Sequence, residues 1–142
     1  MSEQKLRNNL LASQRETLGA LPSDGLILLY FSASWCPPCR AFTPLLKSAY
    51  PMFKDNNVEI VFVSRDHSKQ HFEEYYATMP WLAVDYKNTQ YRQELSEARS
   101  KNQIPFLWVL DRNGKSITEE GTADIRNLGA EVALKKWNEM RQ

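Results

Sequence analysis

The sequence predicts an α/β fold, and three stretches predict it. The first is a continuous apolar run from Leu26 to Phe31, as expected of a central strand buried on both faces. The second, Ala41 to Phe53, sets Phe42, Leu45, Leu46, Ala49 and Phe53 at helical spacing, which reads as a core-facing helix. The third, Val58 to Ser64, is rich in β-branched residues and reads as a second buried strand. Strand, helix and strand together form a βαβ unit, which implies parallel pairing and a right-handed crossover. The residue just past the first strand then lies where open α/β sheets place their sites.

The 142 residues fit one domain spanning 1–142, long enough to bury a sizeable core. Eighteen basic and 17 acidic residues are mixed along the chain for a net charge of +1, so no nucleic-acid or membrane partner is implied. Met1 to Lys5 lacks the apolar core of a signal peptide, and no run is apolar enough to span a bilayer. The expected location is cytoplasmic or nuclear, where a dithiol can cycle. With no long heptad pattern and no third cysteine, a monomer is expected.

Taken in order, Leu6 to Leu21 has apolar positions at mixed spacing and suggests a short edge strand or hairpin near Leu10 to Thr17. Pro22-Ser23-Asp24-Gly25 is a turn signal before the first buried strand. Within the first helix, Pro44 should kink the backbone, and Pro51 either kinks it again or ends it. A second helix is expected from Ser68 to Ala77 with Phe72, Tyr75 and Tyr76 inward, and Met79 to Val84 follows as an apolar loop or short strand. Thr89 to Ser100 reads as a short surface helix anchored by Tyr91, Leu95 and Ala98. Ile104 to Leu110 is a strand that opens with Pro105, where no ladder bond is lost. Asp111 to Lys115 signals a hairpin turn into a short strand at Ser116 to Thr118, and a last helix from Gly129 to Met140 buries Val132, Leu134 and Trp137.

Both cysteines fall in Trp35-Cys36-Pro37-Pro38-Cys39-Arg40, between the first strand and the first helix. Residues three apart on a helix share a face about 5 to 6 Å apart, close to disulfide reach. With Cys36 as the N-cap, Pro37 and Pro38 occupy positions whose missing N–H groups break no helical bond. Cys36 then sits at the positive end of the helix dipole, which favours its thiolate, and the Cys39 N–H becomes its capping donor. Cys39, one turn inside, should resolve rather than attack. Three other readings compete with this redox pair: a structural disulfide, a zinc site completed by His67 and His71, and two inert buried thiols. The disulfide would close a loop too small to constrain the unfolded chain, the zinc spacing is about twice the usual finger length, and Trp35-Pro37-Pro38 makes a plain core segment improbable.

Trp35 to Arg40, with Pro44 in the helix and Ile104-Pro105 before a strand and hairpin, resembles the thioredoxin-fold proteins over roughly Leu26 to Trp137. More narrowly, Tyr30 to Arg40, Phe42-Thr43-Pro44 and Met79 to Val84 resemble tryparedoxins and nucleoredoxins. The resemblance implies a thioredoxin fold, a central mixed four- to five-stranded sheet flanked by helices, with Pro105 in cis facing the cysteines. It also implies a flat docking surface made by Trp35, Pro37, Ile104 and Pro105, supported by Pro38, Arg40, Tyr30 and Trp81. The implied activity is thiol–disulfide exchange that reduces protein disulfides, such as those of peroxiredoxin-like peroxidases. No bound cofactor is required, because the Cys36–Cys39 disulfide is itself the redox group. The alternative is a redox-controlled binding adapter of nucleoredoxin type, with little turnover.

Two features depart from typical thioredoxins and from relatives. Tyr30 occupies the place of a buried aspartate, as it does in tryparedoxins and nucleoredoxins, and a phenol is a poor general base at neutral pH. Deprotonation of Cys39 is left to water or another group. After the Ile-Pro strand, Glu119, Glu120 and Thr122 stand where relatives carry basic residues, which turns the expected electron source from trypanothione to glutathione or a thioredoxin reductase.

Overall fold

In the computed structural model, which describes Lys5, Leu6 and residues 24–141, the apolar run forms β1 (Leu26–Ser32), with every residue buried. It is the middle strand of a five-stranded sheet. β2 (Val58–Ser64) lies parallel to it, and β3 (Leu82–Ala83) lies parallel beyond β2. On the other side β4 (Phe106–Asp111) is antiparallel to β1, and β5 (Ser116–Thr118) closes the edge as an antiparallel hairpin. The order is β3-β2-β1-β4-β5, the mixed sheet of a thioredoxin fold.

The helices are α1 (Pro37–Asp55), α2 (Lys69–Tyr76), α3 (Thr89–Glu97), α4 (Gly121–Leu128) and α5 (Ala130–Met140). Side-chain alternation along the strands divides the core between two faces. Leu26, Leu28 and Tyr30 of β1 pack with residues of α1, α2, α4 and α5, whereas Ile27, Leu29 and Phe31 pack with α3 and Leu6. Glu59, fully buried in β2, is held there by the Lys54 ammonium at 2.6 Å and the Tyr50 hydroxyl at 2.8 Å.

Several expectations need correction. α1 runs unbroken through both Pro44 and Pro51 to Asp55, so Pro51 does not end it. Its buried face is carried by Phe42, Leu46 and Phe53, at spacings of four and seven, and Leu45 stands half exposed beside that stripe. Ala98 caps the end of α3 and is exposed rather than anchoring it. Pro105 precedes β4 rather than opening it. α4 was not foreseen. Gly121 begins it because a Cβ there would lie 2.5 Å from the Leu107 carbonyl oxygen of β4. In α5 the core contacts come from Ala133, Leu134 and Trp137, and Val132 faces solvent. The strand or hairpin expected near Leu10 to Thr17 lies outside the described residues.

Candidate active site

The carboxyl end of β1 and the start of α1 place Cys36 at the helix N-cap, with Pro37 and Pro38 as the first two helical residues. The Cys39 N–H donates to the Cys36 sulphur at 3.3 Å, as the motif's two prolines require. Both thiols are free. Cys36 keeps 5% of its surface exposed and Cys39 none, so a bulky disulfide can reach only the first.

Around Cys36 the rim is mixed and open. Trp35 is 53% exposed, stacks on the His67 ring at 5.3 Å, and donates its indole N–H to the Arg65 carbonyl at 3.2 Å. Pro37, Pro38 and Arg40 are exposed, the last reaching the Ser34 carbonyl at 3.4 Å. Ile104, half-buried, packs on Ala33, Cys36 and Cys39, and its bond to the buried Pro105 is cis. Trp35 and Ile104 line one cavity beside Cys36, and Pro37 follows Cys36 directly in the chain. Pro105, next to Ile104, is buried, as Cys36 is. Trp81 lines neither cavity beside the site. It is buried in the core, edge-on to Tyr30 at 6.1 Å.

Beneath Cys39 lies a floor of hydroxyl groups. Tyr30 and Tyr75 each approach the Thr43 Oγ1, at 2.7 and 2.8 Å, and Ser32 Oγ lies 2.7 Å from the Tyr75 hydroxyl. Thr43 in turn donates to the Cys39 carbonyl at 3.0 Å. The neighbouring Ser32 hydroxyl and Ala33 backbone favour the Cys39 thiolate, but only in small part against burial. Burial, aided by the contact with the Cys36 sulphur, pushes the Cys39 thiol up to about 12. The Tyr30 phenol is also raised, by burial and by its neighbour Tyr75, so it is no general base at neutral pH.

Two polar side chains hold the surrounding loops. Asp66 accepts from the Ser34 N–H at 2.8 Å and the Ser34 hydroxyl at 2.6 Å, pinning the turn that leads into Cys36. Arg99 lies over the rings of Phe31 and Phe106 and donates to Gln103, Asn102 and Ser96, which fixes the loop delivering Ile104. Burial pulls its guanidinium down to about 10, so it stays charged at neutral pH. Sequence reasoning missed Ser32, Tyr75, Asp66 and Arg99. Alternation along β1 puts Ser32 on the same face as Tyr30, a signal that was available; the others are set by tertiary contacts alone.

The zinc reading is not supported. His67 stacks on Trp35, and among the described residues no cluster of three His, Cys, Asp or Glu side chains could hold a metal ion. Glu119 accepts from the Ser100 N–H and hydroxyl, and Thr122 accepts from the Leu107 N–H, so both serve the fold near the hairpin. Among the described residues, no helix is long and apolar enough to cross a membrane.

Residues 24–116 match the family profile described as thioredoxin-like. The chain is 43% identical over 121 residues to nucleoredoxin from Homo sapiens, covering 83% of this chain and 28% of that protein. It is 39% identical over 111 residues to tryparedoxin from Trypanosoma brucei brucei, covering 77% and 76%. The chain thus spans less than a third of the animal nucleoredoxins it matches and most of the tryparedoxin. Among solved structures, tryparedoxin II from C. fasciculata superimposes with a TM-score of 0.76 at 30% identity over 90% of each chain. Tryparedoxin from Trypanosoma brucei gives 0.74 at 34% identity, over 86% of this chain and 87% of that one. With its strand order, its N-cap cysteine and these relatives in agreement, the chain belongs to the thioredoxin-like family of oxidoreductases and is homologous to nucleoredoxins and tryparedoxins.

Proposed function

We propose that this protein is a thiol–disulfide oxidoreductase that reduces protein disulfides. The observation that carries this reading is the asymmetry of the pair: Cys36 is capped by the Cys39 N–H and is the one of the two cysteines that keeps exposed surface. Cys36 attacks a substrate disulfide to form a mixed disulfide, and Cys39 attacks Cys36 to release the reduced product. The Cys36–Cys39 disulfide left behind is the only redox group the cycle needs. Trp35, Pro37 and Ile104 form the docking surface, with Pro105 buried next to Ile104, and an extended substrate segment can lie against the Ile104 backbone.

Disulfides of peroxiredoxin-type peroxidases are the proposed substrates, because tryparedoxin is among the relatives and the rim around Cys36 is open. The upstream donor is a glutathione-type thiol or a thioredoxin reductase. One tryparedoxin II structure similar to this chain holds glutathionylspermidine, which supports a small glutathione-type thiol. The acidic pair Glu119 and Glu120 gives no basic patch for the remainder of a trypanothione molecule. The proposed setting is the cytoplasm or nucleus, with the protein acting as a monomer.

The similarity to nucleoredoxins and the exposed Trp35 favour a second reading, a redox-controlled adapter. Trapping in native extract with Cys39→Ser protein separates the two. Oxidised peroxidases disulfide-bonded to Cys36 are the expected result. Partners held without a disulfide, and retained equally by a Cys36→Ser, Cys39→Ser protein, would replace the exchange reading with the adapter.

A further inference from the structure

Two helix faces look at each other across a groove beside Cys36. On α1 the facing residues are Arg40, Thr43, Pro44 and Lys47, and on α2 they are His71, Glu74, Tyr75 and Thr78. Each set is spaced by three, four and seven, so each is one face of its helix. Thr43 and Tyr75, joined through their hydroxyls at 2.8 Å, make the bottom, and Trp35 and His67 line the same space. Its volume is about 700 Å³.

The two walls differ in charge. Among the described residues the Lys47 ammonium has no carboxylate partner, and the Arg40 guanidinium reaches only the Ser34 carbonyl, at 3.4 Å. Lys54 and Lys136, by contrast, each hold a carboxylate, at 2.6 and 2.8 Å. Among the described residues one carboxylate lines the groove, that of Glu74, and it accepts from Gln70 of its own helix at 3.0 Å. The Asp66 carboxylate, bonded to Ser34 and Ser64, is buried. The α1 wall therefore offers two cations with no anion set against them.

Pro44 adds a hydrogen-bonding place. It has no N–H, so the Arg40 carbonyl lacks the partner that position 44 would supply in a regular helix. An acceptor is left for the backbone N–H of a chain lying in the groove.

We propose that the groove is a subsite for the protein substrate: it takes an extended acidic segment next to the substrate cysteine, whose carboxylates pair with Arg40 and Lys47. The subsite rests on the exchange reading and adds a sequence preference to it. Arg40 lies four residues past Cys36 and Lys47 eleven, about 6 and 16 Å along α1 at the helical rise. An extended chain covers those distances in about two and five residues. The preferred substrate carries carboxylates at about those two positions from its reacting cysteine.

The test uses the reduced, full-length protein and synthetic peptides whose single cysteine is held in a mixed disulfide with thionitrobenzoate. The Cys36 thiolate bonds to the peptide sulphur and thionitrobenzoate leaves, so its absorbance reports the first step. The peptides carry Asp, Ser or Lys at the second and fifth positions from the cysteine, before it in one series and after it in the other. In one series the Asp peptide should react faster than the Ser peptide by at least about fivefold, as two exposed ion pairs of ordinary strength allow, and the Lys peptide should be slowest. Added salt should shrink the spread.

Arg40→Glu and Lys47→Glu should each lower the ratio of Asp to Lys peptide rates, and the double variant should bring it below one. Lys135→Glu, the same change of charge on α5, should leave the ratio as it is. Equal rates for all three peptides in both series overturn the subsite, and so does a preference for the Lys peptide. A ratio that Lys135→Glu lowers as much as Lys47→Glu does overturns it too, since the attraction would then belong to the whole protein. Release from none of the peptides would instead bring down the exchange reading, and the subsite with it.

Discussion

Cys36 and Cys39 are one helical turn apart, yet the rim around the first and the floor beneath the second are built differently. The rim is half open: Trp35 stacked on His67, exposed prolines, and Ile104 on a loop held by Arg99. The floor is closed and polar, with Ser32, Tyr30, Thr43 and Tyr75 satisfying one another out of solvent. The difference leaves one cysteine reachable at the rim and seals the other over a floor of hydroxyls, and it makes two chemically identical side chains unequal.

The sharpest way to break this comparison is to remove the sulphur on the rim. Cys36→Ser should lower insulin-disulfide reduction on the order of a thousandfold or more, the scale seen when an enzyme loses its nucleophile. Turnover retained by that variant would mean the exposed sulphur is not the one that attacks. Asp66 tests whether the rim needs a rigid lead-in. Asp66→Ala strands the Ser34 N–H and should cost about 2 to 3 kcal/mol in urea unfolding. A loss below about 0.5 kcal/mol would show that the turn holds without it.

Trp35→Ala separates docking from folding. Half exposed, the ring should contribute under about 0.5 kcal/mol to stability, while its loss raises KM for a protein disulfide about tenfold, equivalent to about 1.4 kcal/mol. An unchanged KM would remove Trp35 from the docking surface. On the floor, Tyr30→Phe deletes one buried hydroxyl and should cost about 1 kcal/mol. Because the Tyr30 phenol is raised, the substitution should add or remove no inflection in the pH profile of turnover below pH 9 or so.

A last effect, confined to alkaline pH, is expected in the stability of the reduced protein. Folding raises the Cys39 thiol from an ordinary value of 9.0 to about 12. The unfolded chain gives up this proton first, so the stabilisation is complete below about pH 9 and is lost as pH rises toward 12. Denaturation of Cys39→Ser across the same range should show a shallower fall.

Much of the scaffold could be read from the residues in order. The uniformly apolar β1, the β-branched β2, and Cys36 as an N-cap ahead of two prolines all rest on local chemistry, and the structure repeats them. The cis bond before Pro105 came from the family resemblance and is present. What escaped depends on neighbours distant in sequence. α4 has no side-chain N-cap bond and only a short buried face, so its place is set by Gly121 meeting β4. Leu45 and Val132 look like core residues by composition, but the stripes of their helices pass beside them. Ser32 and Tyr75 are 43 residues apart, and no local pattern pairs them.

The division between rim and floor is tested most directly by presenting oxidised insulin to the Cys36→Ser and Cys39→Ser proteins separately, with mass spectrometry of the non-reduced products over time. Cys39→Ser should accumulate a mixed disulfide on Cys36, and Cys36→Ser should accumulate none on the same timescale. Equal capture by the two proteins would contradict the assignment of attack to Cys36 and resolution to Cys39.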